Sequence, residues 1–433
     1  MARSKLSFRE GDTIVLEPTV LGDRGAAVAE YEGIRFRVYG GIPGESARVR
    51  VLHISRGGPV AEARFIEPAG DPHPARREVP CPIHDRCGGC GLQQVTEEWA
   101  LEAKVEQARA LLPAGAAWEE AIVSPHAFGY RAKTFMLPQR VGRTLRFGAR
   151  PPRGNRNIDT TGCAVLRPAV ESACAVVRDR LGTQLGIESI LRSVLVRSNR
   201  RNKVQVTLVH RGPAAGIRAA AESLPFARIF LQQHDAPGNL VCSEEPEIPI
   251  RGQRTVLEHF GSRIVAAVPP TSFMQANPDV AAALYGLASE LFVGQAWGEI
   301  YCGSGVAGLM ALRDNEEARL TGIDRSPRAI AAAKSNAEAN KLDERCDFQA
   351  LAAEDLGEVK WDSVLLNPPR TGCHESVLET VKRSGAKRAI YMSCNAVTLA
   401  RDIERLGWNV VSLRAADMLP QTPHLELLAV LER

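Results

Sequence analysis

Two strand ends in the last part of the chain hold residues able to do chemistry. The stretch "AIYMSCNAVTLARD" places Cys394 behind a short apolar run and just before a helical pattern. A helix N-terminus there favours the thiolate, the form that attacks carbon. A buried structural thiol is the plain alternative. The stretch "SVLLNPPRTG" places Asn367 behind another apolar run, ahead of two prolines that fix an extended turn. Near the C-terminus, "DMLPQTPHLELLAVLER" adds His424 and Glu426, with Glu426 opening the last strand. Exposed salt bridging is the bland reading of that glutamate. In an open parallel sheet ligands bind outside the carboxyl ends of the strands, so Cys394 is expected in that crevice.

A second group is "CPIHDRCGGC", with Cys81, Cys87 and Cys90 inside positions 81–90. The opening "MARSKLSFREGDTIVLEP" has no apolar signal core, and no run of about 18 apolar residues exists to span a membrane. A cytoplasmic chain is expected, and its ten cysteines then read as thiols or metal ligands rather than disulfides. Iron bound by thiolates and zinc with His84 as a spare ligand both suit the loop, and spacing does not separate them.

A third signal is "WGEIYCGSGVAGLMAL", where Gly303 and Gly305 permit a tight turn between a strand and a helix. "LTGIDRS" ends the next strand at Asp324, 21 residues after Gly303. An acidic side chain there accepts both hydroxyls of a ribose. The glycines do not follow G-x-G-x-x-G, so S-adenosylmethionine is expected ahead of a hydride-carrying dinucleotide.

Three domains are expected to position these groups. Residues 1–67 alternate short β-type runs with Gly and Pro turns and read as a small β-barrel. Residues 68–265 mix the cysteine loop, a helix near Thr96–Leu112 and strands such as "KVQVTLVHR". Residues 266–433 alternate short apolar strands with alanine-rich helices, the pattern of a parallel sheet covered by helices. Net charge is about +1, +8 and −5 in the three. Arg131 to Arg156 holds eight basic residues and no acidic one, which suits a polyanion such as nucleic acid, or else a solvated face.

The motifs together resemble the RNA uracil-5-methyltransferase family, above all its bacterial ribosomal-RNA branch. They are "GIPGESARVRV", "CPIHDRCGGCGLQ", "DTTGCAVLRP", "PPTSFMQANPDVA", "YCGSG", "NPPRTG", "YMSCNAVTLARD" and "DMLPQTPHLE", in that order along nearly the whole chain. The resemblance implies an α/β fold: a Rossmann-like class I methyltransferase domain preceded by a TRAM (OB-like) barrel and a mixed α+β iron–sulfur domain. It implies a [4Fe–4S] cluster on Cys81, Cys87, Cys90 and Cys163. It implies Cys394 as nucleophile on carbon 6 of uracil, Glu426 as the base that removes the carbon-5 proton, and Gln275, Tyr301, Asp324 and Asn367 around S-adenosylmethionine. His424 is a neighbour placed to orient the carboxylate. The expected partner of this monomer is RNA, 23S rRNA ahead of tRNA.

Some positions depart from the family pattern. Glu299 and Asn367 stand where aspartates are usual, and Ala352 where an acidic or amide residue is usual. Three other readings stay in view. An amino methyltransferase would carry an aromatic residue after Asn-Pro-Pro, where Arg370 stands here. A 5-methylcytidine enzyme would place its cysteine in other motifs. A non-catalytic RNA-binding factor would not need both Cys394 and Glu426.

Overall fold

The computed structural model describes residues 6–151, 156–238, 240–252, 255–261 and 264–433. Contacts divide the chain into two units, Met1–Glu106 with Leu419–Pro423, and Gln107–Met418 with His424–Arg433. The line at 67/68, drawn on composition, falls inside the first unit, and the line at 265/266 inside the second.

The first unit opens with a six-stranded sheet, β1 (Thr13–Leu16), β2 (Val20–Leu21), β3 (Ala27–Tyr31), β4 (Ile34–Tyr39), β5 (Ala47–Ile54) and β6 (Val60–Pro68), in the order β1-β5-β6-β4-β3-β2. Strict alternation builds it: Phe36, Val38, Val49 and Val51 turn inward, and Arg35, Arg37, Arg48 and Arg50 outward. The cysteine loop with helix α1 (His84–Cys87) closes onto a turn of this sheet. Gly91 lies so close that a Cβ there would stand 2.0 Å from the Arg24 carbonyl oxygen. Helix α2 (Glu97–Arg109) follows, and Trp99 N donates to Thr96 Oγ1 at 3.4 Å, which caps its first turn. Arg77 joins Glu97 at 2.8 Å and Gln421 at 2.9 Å, which ties residues 419–423 into this unit.

The second unit holds two larger sheets. Strands β7 (Ala117–Trp118), β8 (Lys133–Val141), β9 (Thr144–Ala149), β10 (Ile158–Asp159), β11 (Leu191–Ser198), β12 (Val204–His210), β13 (Ile229–Gln233) and β14 (Ile248–Arg251) come first. Seven of them form the sheet β10-β9-β8-β11-β12-β13-β14. Helices α3 (Pro168–Leu181) and α4 (Ala215–Glu222) bury Val177, Leu181 and Ile217 against its Val194, Val206 and Leu231. A hairpin, β15 (Leu257–Phe260) and β16 (Ile264–Ala267), and helix α5 (Pro278–Glu290) lead into the last sheet.

That sheet contains β17 (Ala296–Ile300), β18 (Arg319–Asp324), β19 (Cys346–Ala350), β20 (Ser363–Leu366), β21 (Arg388–Ser393), β22 (Asn409–Ala416) and β23 (Glu426–Glu432). Its order is β19-β18-β17-β20-β21-β23-β22, with β7 beside β22. β17 to β21 are parallel; β23 runs antiparallel to β21 and β22. This is the α/β class I methyltransferase arrangement, and the chain reverses direction of travel across the sheet between β17 and β20, which opens a crevice at their carboxyl ends. Helices α6 (Val306–Arg313) and α7 (Pro327–Ala339) share a core with Trp297, Leu320 and Phe348. Helices α8 (Glu375–Arg383) and α9 (Ala396–Leu406) bury Val377, Val381, Leu399 and Ile403, each stabilising by about 1.5–3 kcal/mol. No helix among the described residues is long and apolar enough to cross a membrane.

Candidate active site

Four of the five parallel strands, β17, β18, β20 and β21, end at or just before a polar residue. Tyr301 follows β17 with φ 63°, a left-handed backbone that a non-glycine residue adopts only under constraint. Gly303, at φ 55°, would point a Cβ into open space, so backbone alone lines the turn there. Asp324 closes β18, and its two carboxylate oxygens accept from Gly303 N and Ser326 N, both at 2.9 Å. The acidic residue and the glycine turn, 21 positions apart, are thus one hydrogen-bonded unit. Glu299 is buried and accepts from Gly308 N at 3.2 Å; burial pushes its carboxyl up to about 8, so it is protonated at neutral pH. Asn367, half-buried, follows β20 and donates its backbone N–H to Ile300 O at 3.3 Å. No carboxylate comes from Ala352, but Glu354, two residues on, faces Tyr301 electrostatically.

Gln275 lies in the loop before α5. That loop is fixed at both ends. Thr271 donates to Glu247 through N at 2.8 Å and through Oγ1 at 2.6 Å, and Arg328 donates to Thr271 Oγ1 and Ser272 Oγ at 3.0 Å. Asn277 caps α5 by accepting from Asp279 N and Val280 N. The Tyr285 phenol lies beside Gln275 and faces Glu299 and Glu426, and burial holds it protonated. Tyr285 sits mid-helix in an alanine-rich pattern and gave no sign of this in the sequence.

Cys394 and Glu426 meet through strand register. Ser393 of β21 pairs with Leu427 of β23, so the residue after one and the residue before the other stand opposite. Burial first, then the nearby Glu426 carboxylate, raise the Cys394 thiol above its ordinary range, while Arg370 lowers it. Burial pushes Glu426 up to about 7, again opposed by Arg370. The expected helix-start advantage for the thiolate is therefore outweighed here. Arg370, noted in the sequence only for the aromatic residue it replaces, is exposed, and its positive charge acts on both groups. His424 is exposed.

The basic stretch forms the β8–β9 hairpin and its exit. Arg143, Arg146 and Arg150 are exposed on it; Arg153 lies outside the described residues. Lys133 stands 4.8 Å above the Phe273 ring, and burial with the nearby Arg197 and Arg131 brings its ammonium down to about 8. Cys81, Cys87 and Cys90 in the first unit, and Cys163 in the second, are half-buried cysteines outside any disulfide. Among the described residues no three His, Cys, Asp or Glu side chains are gathered as ligands for one ion.

A family model described as tRNA (Uracil-5-)-methyltransferase matches residues 254–433. A tRNA (uracil(54)-C(5))-methyltransferase of Pyrococcus horikoshii is 30% identical over 368 residues, covering 83% of this chain and 86% of its own length. A 23S rRNA (uracil(1939)-C(5))-methyltransferase of Pectobacterium atrosepticum is 29% identical over 430 residues, covering 94% and 90%. An uncharacterized RNA methyltransferase of Gloeobacter violaceus is 29% identical over 458 residues, covering 98% and 97%. The crystal structure of Pyrococcus abyssi tRNA (uracil-54, C5)-methyltransferase in complex with S-adenosyl-L-homocysteine superposes with a TM-score of 0.76 at 23% identity, covering 96% of this chain and all of that one, a likeness of fold.

Proposed function

The chain belongs to the tRNA (uracil-5-)-methyltransferase family and is an RNA methyltransferase, and from this premise we propose that it methylates carbon 5 of one uridine through a covalent cysteine–uracil intermediate. The observation that carries the reading is the apposition of Cys394 and Glu426 across β21 and β23 at the carboxyl edge of the sheet.

Carbon 5 of uracil is a poor nucleophile. Addition of the Cys394 sulfur to carbon 6 gives carbon 5 enolate character and lets it take a methyl group. Glu426 then removes the carbon-5 proton, the carbon-6–sulfur bond breaks, and the thiolate is restored. S-adenosylmethionine supplies the methyl group when bound. The crevice suits it: the bare backbone at Gly303 leaves room, and Asp324 offers a ribose a carboxylate already oriented by two N–H groups. Tyr301 and Asn367 directly follow β17 and β20 at the same edge, and Gln275 is proposed to join them. The target base must be unstacked or flipped to reach Cys394. Incubating the full chain and S-adenosylmethionine with 23S rRNA and with tRNA, followed by nucleoside analysis, should give 5-methyluridine in rRNA. Methyl in tRNA alone would move the substrate to the second class in the relatives' names, and 5-methylcytidine would overturn the reading.

Asn367 deepens the choice of base. Its amide both donates and accepts, which matches oxygen 4 and the nitrogen-3 proton of uracil; an ionised aspartate only accepts. Asn367→Asp should retain activity at a cost of about 1–3 kcal/mol in transition-state stabilisation, read as kcat/KM on one target RNA. Equal rates on uridine and cytidine by the native chain would sink this role.

Residues 1–67 and the β8–β9 hairpin are proposed to bind RNA, residues 1–67 as a TRAM-like barrel. Arg143, Arg146 and Arg150 replaced together by Ala should weaken RNA binding and flatten its salt dependence. An unchanged salt slope would mark the hairpin as ordinary surface.

Cys81, Cys87, Cys90 and Cys163 are proposed as ligands of a [4Fe–4S] cluster. Four reduced thiols make a soft donor set suited to iron, and Gly88, at φ 64°, frees the loop to turn directly after Cys87. Protein purified without air should carry about four irons and four sulfides per chain, and Cys87→Ser should lose the brown colour. Stoichiometric zinc with no iron would contradict the assignment.

A further inference from the structure

Ala416, the last residue of β22, pairs with Glu426, the first of β23, so Glu426 stands on the end rung of that ladder. Residues 417–425 join the two strands by a long connection rather than a tight turn. The end of a ladder opens more readily than its middle, so the connection decides how firmly Glu426 is held.

The middle of the connection, Leu419–Pro423, belongs to the first unit. Gln421 fastens it there. Gln421 is 2% exposed and has φ 68°, a left-handed backbone that a side chain other than glycine adopts only under constraint. Its carbonyl accepts from Leu92 N at 3.0 Å. Its Oε1 accepts from Arg77 Nη2 at 2.9 Å, and its Nε2 donates to Glu97 Oε1 at 2.8 Å. Those partners are themselves fixed. Arg77 Nη1 donates to the two Glu97 oxygens at 2.8 and 2.9 Å, and Arg77 Nε to Gln93 O at 2.9 Å. Leu92 is buried with Leu21, Ile42, Val95 and Ala100. Thr422, also buried, closes the turn on Leu419 O, through N at 3.2 Å and Oγ1 at 2.8 Å.

A segment that needed only covering would be served by an apolar side chain. Here one buried amide meets a cation at its acceptor and an anion at its donor, and such charge-assisted bonds fix geometry as well as adding strength. From Pro423 the chain has three residues in which to reach Glu426, at most about 11 Å when extended, and the proline ring removes one rotation. The fastening therefore leaves the base little slack.

We propose that Gln421 is a positioning residue for the general base, held by Arg77, Glu97 and Leu92 of the first unit so that the Glu426 carboxylate stays where the carbon-5 proton is presented. This rests on the reading of Cys394 as nucleophile and Glu426 as base. The step served is the elimination. Glu426 takes the proton from carbon 5, the electron pair of that bond restores the carbon-5–carbon-6 double bond, and the carbon-6–sulfur pair leaves on Cys394 as a thiolate. Sulfur addition and methyl transfer precede it and do not use the base. A loosened Glu426 therefore slows release and spares the earlier steps.

The test separates those two halves in the full chain. With S-adenosylmethionine and natural target RNA in a single turnover, Gln421→Ala should hold the covalent methylated protein–RNA species at least about tenfold longer than the native chain. Its rate of adduct formation on 5-fluorouridine RNA should stay within about twofold of native. Two further variants carry the test should this one not fold. Gln421→Gly keeps the left-handed backbone without strain but loses both side-chain bonds, and Glu97→Ala removes a partner that lies outside the connection. Both should show the same split. Unchanged release in these folded variants, or formation slowed as much as release, overturns the positioning role. Prompt release by Glu426→Gln overturns the assignment of the base instead.

Discussion

Cys394→Ala is expected to reduce methyl transfer by at least about 10³-fold while leaving RNA affinity within a few-fold. The reason is specific to uracil. Without a sulfur on carbon 6, carbon 5 stays part of a conjugated ring and does not attack a methyl sulfonium. The substitution removes one half-buried thiol at the end of β21 and touches no element core, so folding should survive. Rates under saturating cofactor, with affinity measured separately, distinguish loss of chemistry from loss of binding. Retained methylation at a tenth of the native rate or more would remove Cys394 from the mechanism.

Glu426→Gln is expected to be equally severe in turnover, about 10²–10⁴-fold, but to fail at a different point. Addition and methylation need no base at carbon 5, so the variant should methylate once and stall as a covalent protein–RNA species. Denaturing gels of the variant with unmodified RNA would show that species. Its absence, together with lost activity, would give Glu426 a binding or folding role. The pH behaviour follows from the same group. Burial holds its carboxyl near 7, and a base must be ionised, so the elimination rate should rise as pH climbs through about 7 and level off above it. The Cys394 thiol is also raised, so adduct formation should keep rising into alkaline pH.

Much of this site lies open in the sequence because the fold puts it there. Short strands alternating with alanine-rich helices point to a parallel sheet, and its strands end at or just before Tyr301, Asp324, Asn367 and Cys394, all at one edge. The pairing of Cys394 with Glu426 is different. It depends on β23 entering antiparallel beside β21 in one register, a tertiary fact that local pattern does not encode. The sequence shows Arg370 only as the residue after Asn-Pro-Pro; the contacts of its loop with α9, some 30 residues downstream, run through backbone carbonyls that carry no sequence signal. Residues 68–106 look by composition like part of the middle of the chain. Their contacts with the N-terminal strands depend on fits such as Gly91 against Arg24, which are local and steric. The thiol of Cys394 shows a competition the sequence could not decide, since a helix start and a buried carboxylate neighbour push it in opposite directions.

The covalent route is tested most directly with RNA carrying 5-fluorouridine at the target position. Fluorine cannot leave carbon 5 as a proton does, so the native chain and S-adenosylmethionine should accumulate a complex whose mass equals protein plus RNA plus one methyl group less the thiol proton, with the link on the Cys394 peptide. Complete methylation of natural RNA by the same preparation, with no such complex from the fluorinated RNA or with the link on another residue, would contradict the account.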